Sequence, residues 1–338
     1  MPLAAPVTTT TLSSNANRML PIASAPLWPG SRIPIVYDAG NVIGETTTAA
    51  PLIRIGGYSP STSVHSRAIS HLVERMETRV GDAVKFDVVW NVMDEGRPAT
   101  DLLDMVGRGD LACCYFSTSY LGARVPQLDL LERPFLFADL DEAHRALDGA
   151  LGTELTMATE ANTGFEVLGY WDNGFRHLTN RLRPVRTPDD LKGMQVRLQP
   201  NRLHAAMVEA WGATPVPTEL SAGIEMITSL QVDAQENPLA NTVAYGVDRV
   251  HHHLTMTGHL YGARGVYANP RILASLPTDI AEAFRLSVQE AILFQRGEAA
   301  AHETELRFRL ESEGHQFVDL TPEERLSFSD PVSHLGRE

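Results

Sequence analysis

A chain of 338 residues is long for one domain and can bury a substantial core, so two domains or one large one is expected. Hydrophobic residues make up 43%, yet no apolar run approaches the roughly 18 residues that a membrane-spanning helix needs. With 28 basic and 42 acidic residues the formal charge is −14, which disfavours nucleic acid or anionic lipid as a partner and means that an anionic ligand needs a local positive pocket.

Residues 1–50 are rich in Thr, Ser, Ala and Pro without a periodicity that could bury a face, and read as an extension outside the fold. Within them, Arg18 followed by Met19 to Trp28 makes a poor export signal, because prolines and a serine interrupt it. From Leu52 strand and helix alternate. Leu52 to Ile55 is a short strand closed by Gly56-Gly57, and Ile69, Leu72, Val73, Met76 and Val80 recur at helical spacing with Gly81 placed for a left-handed cap. Phe86, Val88, Trp90 and Val92 alternate as in a strand, whereas Ala99, Leu102, Leu103 and Val106 form a second helical stripe. Leu111 to Phe116 is a continuous apolar strand of the kind that parallel sheets bury on both faces. Its adjacent Cys113 and Cys114 offer neither a disulfide framework nor metal-ligand spacing and read as inert packing, with a strained vicinal disulfide as the alternative.

The rhythm restarts after Arg176: strand Met194 to Leu198, helix Arg202 to Trp211 stopped by Gly212, strand Thr214 to Val216, helix Leu220 to Leu230, strand Val232 to Gln235. Two similar α/β units are expected. Thr278 can cap a helix from Asp279 to Glu313, which at 1.5 Å per residue reaches roughly 50 Å, long enough to run along both units. His251, His252 and His253 face different directions on any regular element, so they cannot converge on a metal and read as a solvated segment. Glu132, Asp139 and Asp141 fall at turns and helix starts, where the positive helix end favours acids. The sequence has no Gly-rich phosphate loop, H-E-x-x-H pair or G-x-S-x-G elbow, so neither a cofactor nor a metal is expected.

Four blocks occur in a fixed order: Gly169-Tyr-Trp-Asp-Asn-Gly-Phe-Arg176-His-Leu-Thr-Asn180, Arg183-Pro-Val-Arg-Thr-Pro-Asp-Asp-Leu-Lys-Gly-Met-Gln-Val-Arg197, Gly212-Ala-Thr-Pro-Val-Pro217 and Val232-Asp-Ala-Gln-Glu-Asn-Pro-Leu239. Together they resemble the DctP family of substrate-binding proteins of tripartite ATP-independent periplasmic (TRAP) transporters. The resemblance implies an α/β fold of two Rossmann-like lobes, of the periplasmic-binding-protein type, with crossing strands and a long C-terminal helix spanning both. It places lobe I at residues 51–174 plus about 263–290, and lobe II at 175–262 plus about 291–338. It further implies a monomer in the periplasm that captures a small carboxylate and hands it to a small and a large membrane subunit driven by an ion gradient, with no nucleic-acid partner.

In that family the arginine ending the strand after the Leu-Lys-Gly turn pairs with the ligand carboxylate, and Arg197 holds that position. A guanidinium presents a planar fork of donors that matches a carboxylate, which a lysine cannot do. A surface ion pair with Asp189 or Asp190 is the structural alternative. The resemblance also implies ligand contacts from Arg176, otherwise a structural arginine at the crossing, and from Asn237, otherwise a turn former before Pro238. Leu220 stands where relatives usually carry an aromatic residue over the ligand. Tyr58 in the loop after the first strand, and Tyr115 and Ser117 after the buried strand, lie where relatives contact ligand; Trp171 and Phe175 could wall the pocket or pack in the core. Competing readings are an enzyme that orients a carboxylate on Arg197 with Glu236 or Asp233 as base, and a ligand-sensing protein.

Overall fold

The computed structural model describes residues 50–337, and the predicted extension at 1–49 lies outside them. The first half of the fold runs β1 (Leu52–Gly56), α1 (Val64–Val80), β2 (Lys85–Val89), α2 (Asp101–Arg108), β3 (Cys113–Ser117), α3 (Leu140–Leu147) and α4 (Ala150–Thr163). A long strand, β4 (Glu166–Asn180), leads into β5 (Gln195–Leu198), α5 (Arg202–Ala210), β6 (Thr214–Pro217), α6 (Leu220–Thr228), β7 (Ala234–Asn237) and α7 (Leu239–Ala244). A second long strand, β8 (His253–Ala268), returns and is followed by α8 (Pro270–Ser275), α9 (Thr278–Ser312), β9 (Gln316–Val318) and α10 (Pro322–Ser329).

Among the described residues, nine strands form one sheet in the order β2-β1-β3-β8-β4-β7-β5-β6, with β9 beside β8. At one end β1 is parallel to β2 and β3; at the other β5 is parallel to β6 and β7. Antiparallel β4 and β8 lie between these ends and join them. The apolar cores separate at the same place. One contains residues from Ile53 to Trp171 and from Tyr261 to Ile292 together with Leu220 of α6, and another contains residues between Leu178 and Leu260 with Phe328 and Val332. The helix α9 contributes Phe284, Val288 and Ile292 to the first core and Leu306 and Leu310 to a third cluster with Leu239 and Leu254, so its 35 residues run along both ends of the sheet. Each such buried aliphatic side chain contributes about 1.5–3 kcal/mol.

The alternation of β and α from Leu52 and again from Met194 is present as expected, with differences at element ends. Ser63 accepts the Ser66 N–H, so α1 starts at Val64, ahead of its apolar stripe. It stops at Gly81 with φ 54 and ψ −134, a positive φ outside the left-handed helical well. The β2 ladder ends at Val89, and Val92 turns into a short 3₁₀ segment whose start is capped by Asn91. Tyr115 and Ser117 lie within β3, which is antiparallel to β8 on its second side and so sits in a mixed sheet. Pro277, not Thr278, precedes α9. Cys113 and Cys114 are free thiols, fully buried.

Two expectations are corrected by packing. His251 is fully buried beneath Thr179, whose hydroxyl shares a 3.0 Å hydrogen bond with its Nδ1, and His253 opens β8; of the three histidines, His252 is the exposed one. Glu132 caps no helix: it is buried and pairs with His204 at 2.6 Å. Asp139 does cap α3, accepting the Glu142 N–H at 2.8 Å.

Periodicity did not reveal β4 and β8. Both are buried along most of their length, so neither shows the polar-apolar alternation of a half-exposed strand. Bulges between Val167 and Gly169 and between Asp172 and Gly174 bend β4, and Gly169 (φ 139) and Gly174 (φ 96) adopt backbone conformations that a side chain disfavours. Beside the second bulge, the Gln295 amide of α9 pairs with the strand as another backbone would. It accepts the Asp172 N–H and donates to the Asp172 carbonyl, both at 2.8 Å.

Candidate functional site

The C-terminal ends of β1, β3, β5 and β7, together with β8, surround a narrow, largely enclosed cavity of about 10 Å³. In open α/β sheets ligands lie beyond the carboxyl ends of the strands. Arg197 reaches it from β5, Gln199 follows, and Asn237 stands at the end of β7 with Asn241 one turn into α7. Tyr58, Phe116 and Arg264 close the opposite wall, while Tyr120, Leu220 and Tyr245 complete the lining.

Arg197 is 1% exposed. Its Nη2 donates to the Thr218 carbonyl at 2.9 Å, and its Nε has no partner. The guanidinium rests on Gly223 of α6. A Cβ there would overlap Nε and come within 2.8 Å of Cζ and 3.0 Å of Nη2, so the helix approaches this closely only because the position is glycine. Neither Asp189 nor Asp190 pairs with Arg197: Asp189 holds Lys192, and Asp190 caps a 3₁₀ turn. Burial holds the Tyr120 phenol above its usual range, with the charge of Arg197 pulling the other way.

Arg264 comes from the middle of β8 and is fully buried. Its Nη2 donates to Asn241 Oδ1 at 3.1 Å, its Nε and Nη1 have no partner, and its Cζ lies 4.7 Å from the Tyr58 ring centroid and 5.5 Å from that of Tyr115. A chain of amides links this guanidinium to β7. Asn241 Nδ2 donates to Asn237 Oδ1 at 3.1 Å, and Asn237 Nδ2 to Gln235 Oε1 at 3.1 Å.

Among the residues singled out in the sequence, Arg197, Asn237, Leu220 and Tyr58 meet at this cavity. Tyr115 stands one layer behind, its hydroxyl accepting the Tyr58 N–H at 3.3 Å, and Ser117 donates to Gln199 at 3.4 Å. Arg176 and Trp171 do not line it. Arg176 is 2% exposed and is held by the buried carboxylate of Glu236, with Nη2 donating to Oε1 at 2.9 Å and to the Glu236 carbonyl at 2.8 Å. Burial would raise the Glu236 carboxyl, but the charge and hydrogen bonds of Arg176, with His259 3.7 Å away, outweigh it and hold the group well below the usual range. Trp171 packs in the first core, 5.2 Å from Tyr115. The other proposed base, Asp233, pairs with Arg181 at 2.5 Å.

Arg264, Tyr120, Gln199, Asn241, Tyr245 and Gly223 escaped the sequence reading. The flanking glycines Gly262 and Gly265 were the available signal for Arg264, since they mark a strand approached closely by its neighbours.

A larger and more open cavity of about 570 Å³ lies beside β4 and α9, with His177, Glu303, Arg307 and Arg325 among its lining. Its cations are already engaged: Arg307 pairs with Asp319 at 2.6 Å, and Arg325 donates to the Thr257 carbonyl at 2.5 Å. Volume favours this cavity, but the unpartnered guanidinium donors are in the smaller one, and chemistry decides the choice.

The profile of bacterial extracellular solute-binding protein family 7, DctP, matches residues 55–338, most of the chain. The chain belongs to the DctP family. A solute-binding protein of Verminephrobacter eiseniae is 32% identical over 71% of this chain and 70% of that protein. The 2,3-diketo-L-gulonate-binding periplasmic protein of Escherichia coli is 33% identical over 63% of this chain and 64% of that protein. A TRAP periplasmic solute-binding protein from Polaromonas, solved with D-erythronate, superimposes with a TM-score of 0.77 at 26% identity, covering 84% of this chain and 92% of that one. One from Sulfurospirillum deleyianum, solved with succinate, shares the fold with a TM-score of 0.79 at 24% identity over 85% and 94% of the two chains. This DctP protein is thus a transport solute-binding protein with a periplasmic-binding-protein-like α/β fold, and not an enzyme. Among its described residues no helix is long and apolar enough to cross a membrane.

Proposed function

We propose that this DctP protein captures a small organic acid on Arg197, with Asn237, Gln199 and Tyr58 around it, and delivers it in the periplasm to the small and large membrane subunits of a TRAP transporter. The observation that carries the reading is the Arg197 guanidinium, 1% exposed, with an unpartnered Nε beside a cavity walled from both ends of the sheet. Burying a charge costs several kcal/mol unless an ion or strong hydrogen bonds balance it, and a carboxylate supplies both. A bidentate contact contributes about 3–6 kcal/mol, whereas micromolar binding needs about 8. The amides and closure around the ligand contribute the remainder.

The division into lobes at 51–174 plus about 263–290 and at 175–262 plus about 291–338 belongs to the same reading. It is supported by the two cores, which, Leu220 apart, divide between Trp171 and Leu178 and between Leu260 and Tyr261. A monomer that encloses its ligand between these lobes needs no second copy to complete the site.

A thermal-shift screen of C4-dicarboxylates, sugar acids, keto acids, aromatic acids and sulfonates tests the proposal. A true ligand at 100 times its Kd stabilises the protein by about 2.7 kcal/mol. If no organic acid shifts the melt of the folded protein, the reading is wrong.

A further inference from the structure

We propose that the open cavity beside β4 and α9 is a second ligand site, which takes an α-amino acid with an aromatic or branched side chain, its ammonium group on Glu303 and its carboxylate on Arg325. This does not rest on the function proposed above, because this cavity and the Arg197 cavity share no lining residue.

At about 570 Å³ the cavity is within the roughly 300–1,000 Å³ range of small-molecule sites. Leu140 of α3, Phe175 of β4, Leu239 of α7, Met256 of β8 and Ala300 of α9 give it apolar walls, which suit an apolar side chain. Gly258 opens its floor. A Cβ there would meet Arg325 Nη1 at 3.5 Å, His177 Cε1 at 3.9 Å and Phe175 Cδ1 at 4.0 Å, so a guanidinium, an imidazole and an aromatic ring converge on a volume that only glycine leaves free.

Most charged groups around the cavity are already balanced. Asp172 is held by His144 at 2.8 Å and by the Tyr261 hydroxyl, and Arg307 pairs with Asp319 at 2.6 Å. His177 accepts the Gly258 N–H on Nδ1 at 3.0 Å, so its proton is on Nε2, 3.7 Å from Glu303 Oε1. That separation is too long for a hydrogen bond, and Glu303 Oε1 has no hydrogen-bond partner. Burial raises the Glu303 carboxyl to about 7, the direction expected of an acid that lacks a cation. Arg325 gives Nη1 to the Thr257 carbonyl, but among the described residues it has no carboxylate partner, and burial alone shifts its guanidinium, downward.

An acid and a guanidinium, neither with a charged partner, thus flank the His177 ring. A lone cation would satisfy Glu303 and be opposed by Arg325, and a lone anion would meet the reverse. A zwitterion satisfies both. A divalent metal does not suit the donors, since among the described residues no three His, Cys, Asp or Glu side chains converge to hold one.

The test is calorimetric titration of the full chain with L-phenylalanine and L-leucine, at about pH 8 so that Glu303 is ionised, with a thermal melt of each variant. At least one of the two is expected to bind wild type and Arg197→Ala within about threefold of each other. In the Arg197→Ala protein, where the acid site cannot report, phenylalanine or leucine should bind at least about tenfold more tightly than phenethylamine or 3-phenylpropionate, and Glu303→Gln should remove at least about tenfold of that affinity. Loss of amino-acid binding in a folded Arg197→Ala protein would place the ligand in the acid site and overturn the inference; so would equal binding of either singly charged analogue, or undiminished binding by Glu303→Gln. Ala300→Trp fills the cavity from an exposed position on α9 and should abolish amino-acid binding even if Arg197→Ala does not fold; retained binding overturns the inference. If the wild type binds neither amino acid the second site is refuted, while the role of Arg197, which organic acids test, is untouched.

Discussion

The guanidinium of Arg197 lies against the backbone of Gly223 on α6, with Cζ 2.8 Å and Nη2 3.0 Å from the place a Cβ would occupy. A helix residue and a strand residue 26 positions earlier thus share one volume, and the side chain held there is the proposed carboxylate anchor.

Gly223→Ala therefore tests the site without touching a polar group. The methyl must push either α6 or the guanidinium, an overpacking that costs about 1–3 kcal/mol. We expect acid affinity to fall at least about tenfold while the far-ultraviolet spectrum stays native, read by calorimetry and circular dichroism. Unchanged affinity would mean that Arg197 can bind ligand from another rotamer.

Arg197→Ala is expected to lose at least about tenfold in affinity, and Arg197→Lys to recover little of it, because an ammonium replaces a planar fork by a point charge. Equal binding by wild type and the lysine variant would exclude a bidentate clamp. The measurement is the same titration at fixed ionic strength.

Arg176 and Glu236 form a buried pair, 2% and 0% exposed. Glu236→Gln leaves an uncompensated guanidinium in the interior and should destabilise the fold by about 3–5 kcal/mol. Adding Arg176→Met should restore a substantial part, a coupling that a urea-melt double-mutant cycle measures. Additive losses would argue against direct pairing.

Two buried histidines and the half-buried Glu303 give pH dependence of opposite sign. His177 and His251 are pushed down to about 3, chiefly by burial. Since the unfolded histidines take up protons near pH 6.5, stability falls as the pH drops from there toward 3. Glu303 is raised to about 7 by burial, against the Leu239 and Ala240 N–H groups that pull it down. Its folded form keeps a proton that the unfolded form releases above about pH 4.5, so this group subtracts stability as pH rises from about 4.5 to 7. The Glu303 side chain is 35% exposed, and solvent reduces that effect below the value for full burial. Glu303→Gln should flatten the decline between pH 5 and 7.5 in thermal melts, and an unaltered profile would assign the decline elsewhere.

Local pattern carried much of this fold. The stripes over α1 and α2 follow from helical spacing, the apolar run of β3 from a strand buried on both faces, α5 from the Gly212 stop and the 35-residue α9 from a stretch without proline. The Asp139 cap reflects an equally local hydrogen bond. By contrast, β4 and β8 show no clear period, since neighbours cover both their faces and bulges break the register.

The site divides in the same manner. The family blocks singled out Arg197 and Asn237, which by residue type and place alone read equally as a surface ion pair and a turn former; the same blocks proposed Arg176, which has Glu236 as its partner 60 residues away. No local signal shows that a carboxylate so distant in sequence will neutralise one arginine and leave Arg197 and Arg264 without a counter-ion. The sequence alone determined the alternating elements and the long helix. Only the tertiary structure decided which buried charges are balanced, because charge balance in the interior depends on contacts between segments far apart in the chain.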